Sequence, residues 1–106
     1  MDEEEMMTTD PNFHMIVEDV FTIRNRGTVV TGKIDRGTLN VGDEIIIRGG
    51  NGEKTTKVTG IEMFRKILDQ VKEGDVVGIL LKDIARIDIQ RRDELFCPNS
   101  DFTWKP

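Results

Sequence analysis

The sequence predicts an all-β protein, an antiparallel barrel built from short strands. Three observations carry that prediction. Runs of β-branched and aromatic residues recur along the chain at strand length. Glycine-marked turns separate them, at Gly27, Gly42, Gly49-Gly50, Gly52 and Gly74. No stretch sustains the apolar period of a long helix. Closing such strands into a barrel removes the edges that an open sheet would expose.

Taken in order, Phe13, Met15 and Val17 alternate with His14, Ile16 and Glu18, which predicts a first strand with one apolar face. The alternation slips at Glu18-Asp19, so a β-bulge is expected there. Residues 17–23 and 28–34 read as a hairpin around Asn25-Arg26-Gly27, with Gly27 supplying a positive φ. Gly32, inside the second of these strands, marks a bend or a close backbone approach. The stretch 36–43 reads as turn chemistry. It leads into a strand at 44–48, a glycine-rich hairpin loop at 49–53 and a strand at 55–64. Residues 65–71 have a short helix-like pattern, read as a loop with one turn of helix. Residues 72–75 turn the chain into an apolar strand at 76–81. Residues 83–90 alternate weakly, and 94–96 form a last short strand.

Gly27-Thr28-Val29-Val30-Thr31-Gly32-Lys33-Ile34 nearly spells a phosphate-binding loop. Ile34 stands where the motif needs a hydroxyl for magnesium. Val29-Val30 prefer extended backbone, and no helix pattern follows Lys33. The segment is read as a strand, and no nucleotide cofactor is expected.

A chain of 106 residues bounds one domain with one core. One cysteine, Cys97, and one histidine, His14, exclude an internal disulfide and a structural zinc site. No metal is expected. No apolar run reaches membrane-spanning length, and the opening Met-Asp-Glu-Glu-Glu has the wrong charge for a secretory signal, so the expected location is cytoplasmic, with no membrane partner. The charge is uneven. Of 20 acidic residues, five lie in positions 1–10, so the remaining 15 balance the 15 Lys and Arg. The net charge of -5 therefore resides in the leader, residues 1–12, which is read as solvating and disordered. A neutral body lacks the general basic field of non-specific nucleic-acid binders, so any RNA contact must be local and shape-selective.

Read without further context, most polar residues have structural roles. His14 is expected on the solvent side of its strand. Adjacent residues Glu18 and Asp19 point to opposite faces and do not form an acid/base dyad. Cys97 has no motif that would make it a nucleophile. Phe21 and Phe64 are read as core or rim packing, and Phe102 and Trp104 as a tail able to fold back on the barrel. With no metal set, no nucleophile and base and no working phosphate loop, an enzyme is not expected.

The order and spacing of several motifs carry a family resemblance. These are Val17-Glu18-Asp19-Val20-Phe21, Arg26-Gly27-Thr28-Val29-Val30-Thr31-Gly32, Gly42-Asp43-Glu44, Gly60-Ile61-Glu62-Met63-Phe64-Arg65-Lys66 and Gly78-Ile79-Leu80-Leu81. Across residues 13–96 the chain resembles the second domain of elongation factor Tu and related translational GTPases. The resemblance implies a six-stranded Greek-key barrel of the translation-protein type over 13–97, followed by a divergent tail, 98–106. The sequence carries no GTP-binding domain and no third domain, so the family's GTPase activity is not carried over.

In the whole factor this barrel holds the aminoacylated 3′ end of transfer RNA. The resemblance places the terminal-adenosine pocket at Ile23, Arg26, Val29, Glu62 and Leu80. It places the aminoacyl side at Asp19, Phe21, Thr31 and Val76, with Arg65 near the RNA backbone. Valine at 76 replaces the usual asparagine, and losing such a hydrogen bond costs on the order of 1 kcal/mol or more. Asn25 and Arg92 replace usual glycines. Two functions follow as expectations. One is a binding module for the transfer RNA acceptor end or another RNA element. The other is a protein-interaction module that uses the inherited inter-domain faces, including by self-association.

Overall fold

The computed structural model describes residues 10–98. It contains ten strands: β1 (His14–Ile16), β2 (Asp19–Ile23), β3 (Gly27–Arg36), β4 (Thr38–Asn40), β5 (Glu44–Gly49), β6 (Gly52–Met63), β7 (Lys66–Leu68), β8 (Gln70–Lys72), β9 (Val76–Leu81) and β10 (Glu94–Phe96). Six of them close a ring in which every pairing is antiparallel, running β3, β1, β10, β5, β6, β9 and back to β3. This is the closed six-stranded barrel that the resemblance implied. β2 extends the wall beside β3, β7 extends it beside β6, and β4 and β8 form a separate ribbon.

Alternation builds the core. Met15, Val30, Ile34, Ile45, Ile47, Val77, Ile79, Leu81 and Leu95 point inward and are buried, and Leu39 and Val71 of the ribbon join them. In β6 the inward residues change parity, from Thr56 and Val58 to Ile61. The register shift between Val58 and Gly60 against β9 makes that change. It leaves Gly60 and Glu62 on the outer face, which matters for the site.

β1 and β2 are two pieces of one interrupted strand along β3. The break falls at Val17 and Glu18, beside the expected bulge. There the Val17 amide donates to Asp93 O at 2.9 Å, and the Arg92 amide donates to Val17 O at 2.8 Å. The chain thereby leaves β10 and continues as β2, whose far edge faces no strand among the described residues. Two arginines guard that edge: Arg86 Nε donates to Val20 O at 3.2 Å and Arg91 Nε to Glu18 O at 2.9 Å. Gly27 has φ +121°, as the hairpin requires, and a methyl group at Gly32 would sit 2.5 Å from Ile16 O. The close approach expected at Gly32 is therefore real. The near-phosphate-loop is fully extended, with Thr28 through Lys33 in register with β9.

Four readings are corrected. Residues 65–71 are not helical: they form β7 and β8, because Ile67 and Leu68 pair with Glu62 and Ile61 and Val71 pairs with Leu39. Residues 36–43 include strand β4, the other half of that ribbon. Residues 83–90 are a loop with a 3-10 turn at Arg86–Asp88, anchored where buried Thr28 donates its hydroxyl proton to Ile84 O. His14 is not simply solvent-facing. Its ring is mostly covered, with Nδ1 2.9 Å from Asp35 Oδ2 and Nε2 3.8 Å from Glu94 Oε2.

The expected loop at 49–53 tightens to Gly50-Asn51 between paired Gly49 and Gly52. The folded body reaches back to Asp10, whose carboxylate accepts from the Thr38 amide at 3.0 Å. The rest of the leader, residues 1–9, and the tail with Phe102 and Trp104 lie outside the described residues.

Candidate nucleotide-end groove

The outer face of the β2-β3-β9-β6-β7 wall forms a groove, and its shape follows from strand register. One cross-strand row runs Phe21, Val29, Leu80, Gly60; the next runs Thr31, Gly78, Glu62, Ile67. Each row has a glycine on one of the central strands, so the floor lacks side chains where the flanking strands carry large ones. The result is a cavity of about 330 Å³ between the β2–β3 hairpin and the β6–β7 hairpin.

Ile23, Arg26, Val29, Glu62 and Leu80, assigned by resemblance to a terminal-nucleoside pocket, all line this cavity. So do Phe21, Thr31, Val76 and Arg65. Asp19 does not. It borders a neighbouring depression, and its Oδ1 lies 3.3 Å from Arg91 Nη2. Arg26, at one end of the groove, faces Glu62 in its middle at 4.0 Å, each about half exposed. At that distance and exposure the pair contributes little to stability, and both groups stay available to a ligand.

The opposite end is apolar. Phe64 is 81% exposed, Ile67 75% and Val76 55%, while Phe21, one row nearer Arg26, is 43% exposed. Packing in the core does not describe the two phenylalanines. Phe64 and Arg65 are the central residues of a two-residue hairpin, between paired Met63 and Lys66, with φ of 53° and 69°. Two positive φ values are the signature of a type I′ turn, which favours Asn-Gly. A phenylalanine held there costs about 1–2 kcal/mol in backbone conformation. Its burial returns none of it.

The sequence hid Phe64 as a site residue because it reads as core or rim packing, and Ile67 because 65–71 looks helical; it assigned no role to Gly60 or Gly78. The available signal was a glycine inside each of two strands, which marks a place where something approaches the backbone. Among the described residues no group of His, Cys, Asp and Glu is arranged to hold a metal ion. No helix among them is long and apolar enough to cross a membrane.

A family model described as Elongation factor Tu domain 2 matches residues 27–93. That span is more than half of the 106 residues and covers β3 through most of the approach to β10. The chain belongs to the elongation factor Tu domain 2 family. Its closed six-stranded ring and its family match agree: this is a translation-factor-like barrel module. β2, which supplies Phe21 and Ile23 to the groove, precedes the matched span. In this domain 2 barrel, therefore, one wall of the groove is attached through β2–β3 register to the part that the family model covers.

Proposed function

We propose that this barrel is a non-catalytic binding module that holds the 3′ terminus of an RNA, the transfer RNA acceptor end being the first candidate. One observation carries the reading. Residues scattered from Ile23 to Leu80, assigned to a terminal-nucleoside pocket by family resemblance alone, meet around a single groove. Its chemistry suits an unstacked nucleotide. Ile23, Val29 and Leu80 offer apolar surface to the face of a base, Arg26 is available to phosphate, and Glu62 accepts from a ribose hydroxyl or a base amino group.

The test is an amide NMR titration with acceptor-stem RNAs that carry or lack the final adenosine. Shifts centred on the groove should require that adenosine. The double variant Arg26→Ala, Glu62→Ala should lose RNA binding while staying folded. Gly78→Val should act from the floor. A Cβ at Gly78 makes only ordinary contacts, 3.6 Å from Val29 Cγ1 and 3.9 Å from Thr31 Cγ2, so the fold tolerates it while the cavity fills. We expect affinity to fall more than about tenfold with no loss of stability. Unchanged RNA affinity in both folded variants would remove the groove from consideration.

A second reading rests on the exposure of Phe64 and Ile67, which suits a protein partner or a second copy of the barrel. It predicts concentration-dependent sedimentation that Phe64→Ser abolishes, and no groove shifts with any RNA.

A further inference from the structure

We infer that the Val76 end of the groove takes an uncharged, apolar acyl group joined to the terminal nucleoside, and discriminates against one that bears a free ammonium. This rests on the nucleotide-end reading above. Register orders the groove along the strands. Arg26 and Ile23 lie at one end, Glu62 and Gly78 in the middle, and Val76 at the other end, opposite Lys33 and beside the Phe64-Arg65 turn. A substituent on the terminal ribose that extends away from Arg26 therefore meets Val76, Phe64 and Ile67.

An ammonium group there finds no acceptor of opposite charge. Glu62 is the one carboxylate among the lining residues, and it stands in the row of Gly78, in the middle of the groove and 4.0 Å from Arg26, not at the Val76 end. Asp19 is outside the cavity and held by Arg91. The charged group that does line this end is Arg65, a cation engaged in no ion pair among the described residues. A second positive charge is disfavoured beside it, and desolvating an unpaired ammonium against Val76 and Phe64 is disfavoured further. Acylating the nitrogen removes the charge. It also adds a carbonyl oxygen that can accept from the Arg65 guanidinium, and carbon surface that packs on Phe64 and Ile67.

The test uses three hydrolysis-stable probes made from 3′-amino-3′-deoxyadenosine: the bare nucleoside, its phenylalanyl amide and its N-acetylphenylalanyl amide. Each is titrated into the full chain and followed by amide NMR. At about pH 6, where an α-amine is protonated, the N-acetyl compound should bind at least about tenfold more tightly than the free amine. At about pH 9 the two should converge. Val76→Asp, a change at an exposed strand position, supplies the missing carboxylate and should reverse the preference at about pH 6. Equal or tighter binding of the free amine at pH 6, with the bare nucleoside still bound, overturns this inference and leaves the nucleotide-end reading standing. If no probe shifts the groove resonances, both fall together.

Discussion

Strand β6 ends in a two-residue hairpin at each side, and the two turns are built on opposite terms. At its start, Gly50-Asn51 joins paired Gly49 and Gly52, and the positive φ nearby, +92°, belongs to Gly52. Residue type matches backbone shape, and Asn51 Nδ2 ties the loop to Ile87 O at 3.2 Å. At its end, Phe64-Arg65 joins paired Met63 and Lys66, with both central residues at positive φ and neither a glycine nor an asparagine. The first turn serves the fold. The second holds a large aromatic in solvent at a conformational cost and forms one wall of the groove with the apolar lining and glycine floor. Strain that packing does not reward points to an external partner.

The sharpest way to break this comparison is to make the second turn resemble the first. Replacing Phe64-Arg65 with Asn-Gly gives the type I′ turn the residues it favours. Urea unfolding should report a gain of about 2 kcal/mol, from two left-handed residues relieved. Groove ligands should weaken in the same variant. A stability equal to that of the parent would mean that the turn stores no strain and that the contrast with Gly50-Asn51 has no energetic content.

A smaller effect is expected at a third kind of turn, which the barrel uses repeatedly. Asn40 to Asp43, Lys72 to Asp75 and Gln90 to Asp93 share one design. In each, the aspartate carboxylate accepts the backbone N–H three residues earlier at 2.9 Å, and its own N–H donates back to that residue's carbonyl. The third residue has positive φ: Gly42 at 99°, Gly74 at 91° and Arg92 at 78°. This is type II geometry, which calls for glycine at that position. Arg92→Gly should therefore stabilise the barrel by about 1 kcal/mol in denaturant titration. A loss instead would show that the Arg92 side chain contributes more than its backbone conformation costs.

Much of the barrel was legible because its signals are local. Alternation in 13–17, 28–34, 44–48 and 76–81 gave strands, and the glycines gave turns. What escaped depends on pairing that local sequence does not encode. Ile67, Leu68 and Val71 fit a helical spacing as well as two three-residue strands, and only the registers with β6 and β4 decide between them. The groove was legible as a set of residue positions through resemblance, but not as a shape. Its floor depends on the parity change at Gly60, which puts Glu62 outside, and on Gly78 lying beside Thr31. Asp19 was assigned to the aminoacyl side by resemblance alone, and in the structure it lies outside the cavity. The ion pair that takes it away involves Arg91, 72 positions later (91 minus 19).

The smallest effect should come from Asp43, and it tests whether the shared turn design behaves alike when buried. Asp43 is almost fully covered, and burial raises its carboxyl above the ordinary carboxylate range, against the hydrogen bonds from Asn40 that lower it. An acid whose folded-state pKa is raised binds more protons folded than unfolded. In the window from the ordinary carboxylate value up to its folded value, stability therefore falls as pH rises. Asp43→Asn keeps an oxygen to accept the Asn40 amide and removes the charge. The variant should match the parent at acid pH, within about 1 kcal/mol, and gain on it as pH rises through that window. Unfolding curves collected from about pH 3 to 7 would measure the difference. A parent that gains on the variant over this range would mean that the carboxylate form is favoured by the turn, and that the amides of Asn40 outweigh the burial.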